Sequence, residues 1–296
     1  MTLTLLFEFI VVLAAIVLGS RAGGVGLGFW GGIGVLVLTF GFGLPPTSPP
    51  IDVMLIILAV IMAASVMEAA GGIDYLVSVA ERIIRRNPRQ ITVVAPIVSY
   101  AFTLGAGTGH VFYPLLPIIH DVAHENGIRP ERPIAISTIA SQQAITASPV
   151  SAAMAAMIAL FDPAGFGLTK IMLISIPATL LGVIVGALIQ THVGKELADD
   201  PEYNRRLRAG EIEAPSGRQQ KSARAELPPS ARTSAFLFLL GVVFVVVAGL
   251  FPGLRPLVPK ADKVVSLDMA TTIQIVMLSL AGLMLLVTRT SAASVP

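Results

Sequence analysis

The sequence predicts an all-α integral membrane fold with interrupted helices, on three observations. Of the 296 residues, 54% are hydrophobic and 13% charged, and the mean hydropathy is +0.82. Most of such a chain cannot form the exterior of a water-soluble domain. The apolar residues are gathered in blocks close to the roughly 20 residues needed to cross a hydrocarbon core. Between Ile91 and Ser151, two glycine- and proline-broken patches, GAGTGHVFYP and ITASPVSA, interrupt this membrane-grade sequence. Non-helical backbone is tolerated at membrane depth only where protein buries it or where it lines a watery cavity.

Taken in order, the spans fall at residues 4–19, 23–44, 53–70, 133–160, 168–191, 234–250 and 264–288, seven crossings in all. The first is read as a retained membrane helix, since residues 1–10 contain no Lys or Arg to form the positive region of a signal peptide. In the second, the glycine-rich stretch with GFWGGIG suits close helix packing through small residues. Residues 73–86 are too charged to cross. Ile73, Leu76, Ala80, Ile83 and Ile84 share one helical face, with Glu81, Arg82 and Arg85 elsewhere, which predicts a helix lying at the inner interface. A plain connector helix is the alternative. Residues 194–232 read as a mobile polar loop, with both charge signs and Pro201, Pro215, Pro228 and Pro229.

Residues 91–120 would make a straight helix about 45 Å long, and Gly105, Gly107, Gly109, Pro114 and Pro117 break it. Two half-helices meeting at Gly107, entering and leaving on one side, fit better. The positive-inside rule tests this. With the hairpin, 16 Lys and Arg fall inside and 4 outside; with a single crossing, the split is 9 and 11. The hairpin is therefore expected, with the N-terminus outside the cytoplasm.

The second break is expected to release the Ile145 carbonyl at Pro149, with Ser148 capping a new half-helix that Pro149 starts. Freed carbonyls at Ile145 and Ser148 can hold a cation, and a helix N-terminus can face an anion. Thr146 and Ser151 add hydroxyls. An ordinary proline kink, satisfied by a Ser or Thr hydroxyl, is the alternative. At the first break, Gly107, Thr108 and Gly109 permit close backbone approach, and a half-helix beginning near His110 is expected to bring a second amide end to the same depth. No Lys or Arg lies well inside a span, so an anion would be held by amide dipoles, hydroxyls and a bound cation. Together the breaks predict a carrier of a small anion.

His110 is either a proton-coupling group or a neutral structural histidine. Gln142 and Gln143 either reach the substrate or pack between helices, and Glu8 and Glu68, toward span ends, are expected to snorkel. The chain has no cysteine, which excludes disulfides and thiolate chemistry. HExxH, GxSxG and paired-carboxylate constellations are absent, so no enzyme is expected. No cofactor or nucleic-acid partner is expected either.

The runs RAGGVGLGFWGGIGVLVLTF, PPIDVMLIILAVIMAAS, AAGGIDYLVSVAERIIRRNP, GAGTGHVFYPLLPIIHDVA, NGIRPERPIAIS and ITASPVSAA resemble the anaerobic C4-dicarboxylate transporter (Dcu) family of bacterial inner membranes. The resemblance is dense over residues 20–191. It implies transport of fumarate, succinate, malate and aspartate, typically by exchange, and in some members a co-sensor role with a membrane histidine kinase. It also implies an ion-transporter-type fold of two inverted repeats, each with a re-entrant hairpin and a broken helix, in a homodimer with elevator motion. By position, residues 107–110 become the first hairpin tip and 146–151 the first broken-helix loop.

The substrate-binding set expected is therefore Gly107, Thr108, Gly109, His110, Gln142, Thr146, Ser148, Pro149 and Ser151. The organisation expected is scaffold and interfacial helix (1–90), transport unit (91–166), closing helix of the first repeat (167–192), cytoplasmic loop (193–232) and the first two helices of a second repeat (233–296). The second repeat is expected to be incomplete, as in a truncated carrier. A non-transporting regulator of a sensor kinase and a carrier of another small organic anion are the competing readings.

Overall fold

The computed structural model describes residues 2–46, 48–212, 227–260, 263–291 and 295. It separates into two compact units, residues 1–50 and 51–296. Among the described residues, six helical segments are long and apolar enough to cross a membrane, consistent with an all-α, multi-pass membrane protein.

In the first unit, α1 (Thr2–Ala22) and α2 (Val25–Leu36) pack antiparallel. Small residues allow the close approach: a methyl group on Gly34 would lie 3.0 Å from Ala15 Cβ, and one on Gly19 would lie 3.1 Å from Leu27 Cα. The second expected span is shorter than predicted. Gly23 and Gly24 adopt positive φ and delay the helix to Val25, and a five-residue π turn (Val37–Gly41) ends it before Gly43, again at positive φ.

The second unit begins with α3 (Ile51–Ala69), which packs on α8 (Ala152–Phe161), α11 (Pro229–Leu250) and α12 (Met269–Thr288). Their buried faces, including Met67, Phe238, Ile273 and Met277, form the larger core. A left-handed turn at Gly71 leads into α4 (Gly72–Arg86). Its apolar face, Ile73, Leu76, Ala80 and Ile84, is covered by protein. Only Ile83 of the predicted stripe is exposed.

α5 (Ile91–Ala106) then ends at Gly107, and the chain doubles back into α6 (Leu115–Glu125). Ile91 at the start of α5 shares a buried cluster with Ile119, Val122 and Ala123 near the end of α6, and with Ala80 and Ile84 of α4. α7 (Glu131–Ala147) runs beside α5, and α9 (Leu168–Gln190) closes over both through Tyr100, Ala140, Ala144 and Val183. The Tyr100 hydroxyl lies 2.8 Å from Thr179 Oγ1.

Residues 193–212 are folded where a mobile loop was expected. α10 (Pro201–Arg208) is capped by Asp200, whose carboxylate accepts from the amides of Glu202 and Tyr203. Those amides, with the Arg129 guanidinium, hold the Asp200 carboxyl below its ordinary value. Residues 213–226 of the predicted loop lie outside the described residues. The last expected span is also shortened. Leu257–Lys260 (β1) pairs antiparallel with Lys263–Ser266 (β2), and α12 starts only at Met269, where Asp268 accepts from the Thr271 amide. β-Branched Val258 and Val265 favour this extended pairing over helix.

Candidate functional site: the meeting of two helix breaks

The two breaks predicted from sequence touch. Gly107 ends α5 at φ 71°, a left-handed C-cap with its amide bonded to the Thr103 carbonyl. A methyl group there would meet Val150 Cγ2 at 2.8 Å and the Val150 carbonyl oxygen at 2.9 Å. Any side chain at 107 would therefore collide with backbone of the other break. Gly109 sits over α7, where a methyl group would come 3.7 Å from Ile145 Cδ1.

Beyond Gly107 the backbone is extended at Thr108, whose Oγ1 accepts weakly from the His110 amide at 3.4 Å. The half-helix expected to begin at His110 is instead a single 3-10 turn (Gly109–Val111), and α6 starts at Leu115. Pro114 and Pro117 suit the entry and first turn of a helix, so regular helix begins with them and not at the glycines. The His110 side chain is exposed and meets Tyr113 edge to face, with 6.4 Å between ring centroids.

At the second break, α7 ends at Ser148 and α8 begins at Ala152. Two details differ from the sequence expectation. The Ile145 carbonyl accepts from the Ser148 amide, so Pro149 does not leave it bare. The cap of the new helix is Ser151, whose Oγ accepts from Met154 N–H at 3.0 Å. Pro149 and Val150 form a turn closed by Ser151 N–H to the Ser148 carbonyl. Ser151 has the extended backbone that an N-cap needs. The first amides of α8, at Ala152 and Ala153, keep no partner among the described residues, as a helix start requires if nothing else caps it.

The expected residues thus divide. Gly107, Gly109, Ser148, Pro149 and Ser151 sit at the contact, with Ser148, Pro149 and Ser151 buried. Gln142 and Thr146 are exposed on another face of α7, and Thr146 Oγ1 donates to the Gln143 carbonyl at 2.7 Å. Sequence reasoning did not single out Val150, Thr103 or Ser141. The buried Thr103 and Ser141 hydroxyls lie 3.0 Å apart just beneath the contact and join α5 to α7. Two small hydroxyl residues, Thr103 one turn before Gly107 and Ser141 two turns before Ser148, were the available signal. A double-mutant cycle with Thr103→Val and Ser141→Ala is expected to give a coupling of about 0.6 kcal/mol in thermal unfolding in detergent; additive effects would show that the bond contributes nothing.

Comparison with known proteins decides the family. The model for "anaerobic C4-dicarboxylate membrane transporter" matches residues 4–296. The chain belongs to that family. Among curated relatives of this family member, C4-dicarboxylate transporter DcuA of Wolinella succinogenes is 46% identical over 82% of this chain and 55% of its own length. DcuA of Escherichia coli K12 is 43% identical over 94% of this chain and 63% of its own. Anaerobic C4-dicarboxylate transporter DcuB of Escherichia coli O6:H1 is 38% identical over 97% of this chain and 65% of its own. The chain therefore spans about 55 to 65% of these relatives. No solved structure matches it.

Proposed function

We propose that this chain serves secondary transport of C4-dicarboxylates across the bacterial inner membrane, by exchange, with the substrate held where the two breaks meet. The observation that carries the proposal is the approach of Gly107 to the Val150 carbonyl. It joins the end of α5, the start of α8 and two serine hydroxyls in one place, in a family of dicarboxylate membrane transporters. A carboxylate is served there by the open amides of Ala152 and Ala153 and the positive end of the α8 dipole.

In this reading α5 and α6 are a re-entrant hairpin with its tip at residues 107–110, and α7 and α8 are the broken helix. Residues 1–192 act as one repeat of an inverted pair, and the N-terminus is periplasmic. The doubling back of α6 onto the base of α5 supports the hairpin. The charge distribution, 16 basic residues inside against 4 outside, supports the orientation.

The test is fumarate and succinate counterflow in proteoliposomes, comparing the 296-residue chain with a C-terminally extended version and with empty liposomes. Exchange by either protein is the expected result, and none by both would refute the function. Thr108→Ala and Ser148→Ala are expected to weaken dicarboxylate affinity about tenfold, as loss of one polar contact does, while membrane insertion stays as in the parent. If both variants bind fumarate like the parent, the site lies elsewhere.

A further inference from the structure

A second feature lies on the side of α5 that faces α4 and α11, reaching to Gly105 just before the first break. These three helices border an apolar groove of about 420 Å³, floored by Leu76, Phe102, Ala235 and Leu239. Gly105 keeps it open, because a methyl group there would come within 3.2 Å of Leu239 Cδ2. Tyr75 and Arg232 also line a second pocket of about 440 Å³, which adds Ser78 and Arg82. Apolar walls thus lie next to a pocket lined by two guanidinium groups.

Those two arginines differ from the ones that hold the folded loop. Arg129 and Arg132 are ion-paired to Asp200 and Glu196. Among the described residues, Arg82 donates only to the Ser78 carbonyl of its own helix, and Arg232 has no hydrogen bond or ion pair. Arg232 also sits in the first turn of α11, where the helix dipole disfavours a cation unless an anion is close by.

We propose that this groove binds an anionic glycerophospholipid, with an acyl chain lying along Leu76, Phe102, Gly105 and Leu239 and its phosphate between Arg82 and Arg232. Charge complementarity selects the occupant. One wall of the apolar stretch, with Ala235 and Leu239, belongs to α11, a helix of membrane length, and basic pockets beside such helices hold anionic headgroups by charge-assisted hydrogen bonds. A zwitterionic lipid gains the same chain contacts but brings its own cation to the arginines. Lipid binding here is independent of what the protein transports.

Trp30 is the only tryptophan, so Trp30→Phe with Phe102→Trp places a single reporter in the groove. The protein is reconstituted with dibromo-phosphatidylglycerol or dibromo-phosphatidylcholine at equal fractions, and tryptophan quenching is read. Preference for the anionic lipid is expected at about fivefold per arginine. Arg82→Gln with Arg232→Gln should abolish that preference while quenching by the zwitterionic lipid remains. Equal quenching by the two lipids in the reporter protein would overturn the proposal. So would quenching by neither, which would mean that protein covers the groove. Should the reporter fold poorly, native mass spectrometry of the unaltered chain serves: phosphatidylglycerol adducts retained over phosphatidylcholine, and lost with both arginines, support the site, and indiscriminate adducts refute it.

Discussion

Gly107→Ala is expected to cost about 3 kcal/mol of stability, and with it to abolish the dicarboxylate exchange proposed above. Two effects add. An alanine at φ 71° bears about 1–2 kcal/mol of backbone strain, and its methyl group would stand 2.9 Å from the Val150 carbonyl oxygen. Overpacking of this kind costs typically 1–3 kcal/mol. Because the colliding atom is backbone, a rotamer change cannot relieve it; the two breaks must separate. Gly127→Ala is the control. Gly127 has φ 70°, but a methyl group there would meet nothing within 4 Å, so only the strain applies. In detergent, thermal unfolding of Gly107→Ala is expected to fall by about 10 °C, with Gly127→Ala falling by less than half of that. Equal losses would mean that the contact with Val150 is loose.

The second large effect is expected at Arg132. Its buried guanidinium donates to the carbonyls of Val193 and Gly194, at 2.7 and 2.9 Å, and to Glu196 at 2.8 Å. Arg129 adds bonds to Asp200 and the Lys195 carbonyl, and His124 lies 3.2 Å from the Tyr203 hydroxyl. Together they strap residues 193–203 across the ends of α6 and α7. Arg132→Gln removes the fork that serves three acceptors at once, at a cost of about 2 kcal/mol for charge-assisted bonds. That corresponds to roughly thirtyfold more opening of the strap. Trypsin cleavage at Arg205, Arg206 and Arg208 should rise accordingly, while Arg86→Gln, at an exposed residue outside the strap, should leave it unchanged. Unaltered cleavage in Arg132→Gln would show that Arg129 and His124 hold the strap without it.

Much of this architecture was legible in the sequence because lipid leaves few options. Long apolar runs must be helices, and the runs broken at Gly107 and at residues 148–151 had to break where protein shelters the backbone. The exact caps were less legible. Ser148, Pro149 and Ser151 all suit a helix start by composition, and the choice of Ser151 depends on which hydroxyl reaches an amide of the new helix: Ser148 Oγ accepts from Val150 in the turn, Ser151 Oγ from Met154 in α8. Long-range pairings were not legible at all. Nothing local distinguishes Val150 from other valines, nor marks Arg132 as the anchor of a segment some 60 residues onward. α4 shows the same limit: its amphipathic stripe was plain, but whether lipid or protein covers such a stripe depends on helices distant in sequence.

The absence of native cysteine makes the central claim directly testable by thiol labelling. Thr108→Cys and Thr146→Cys, one at each break, would be introduced singly into the 296-residue chain and its C-terminally extended version, and maleimide labelling timed with and without fumarate. If the substrate sits where the breaks meet, fumarate slows labelling of Thr108→Cys several-fold in at least one of the two proteins, whereas a cysteine at Gly127, away from the site, labels at an unchanged rate. Labelling at both breaks that ignores fumarate, in a preparation that exchanges it, would contradict the assignment.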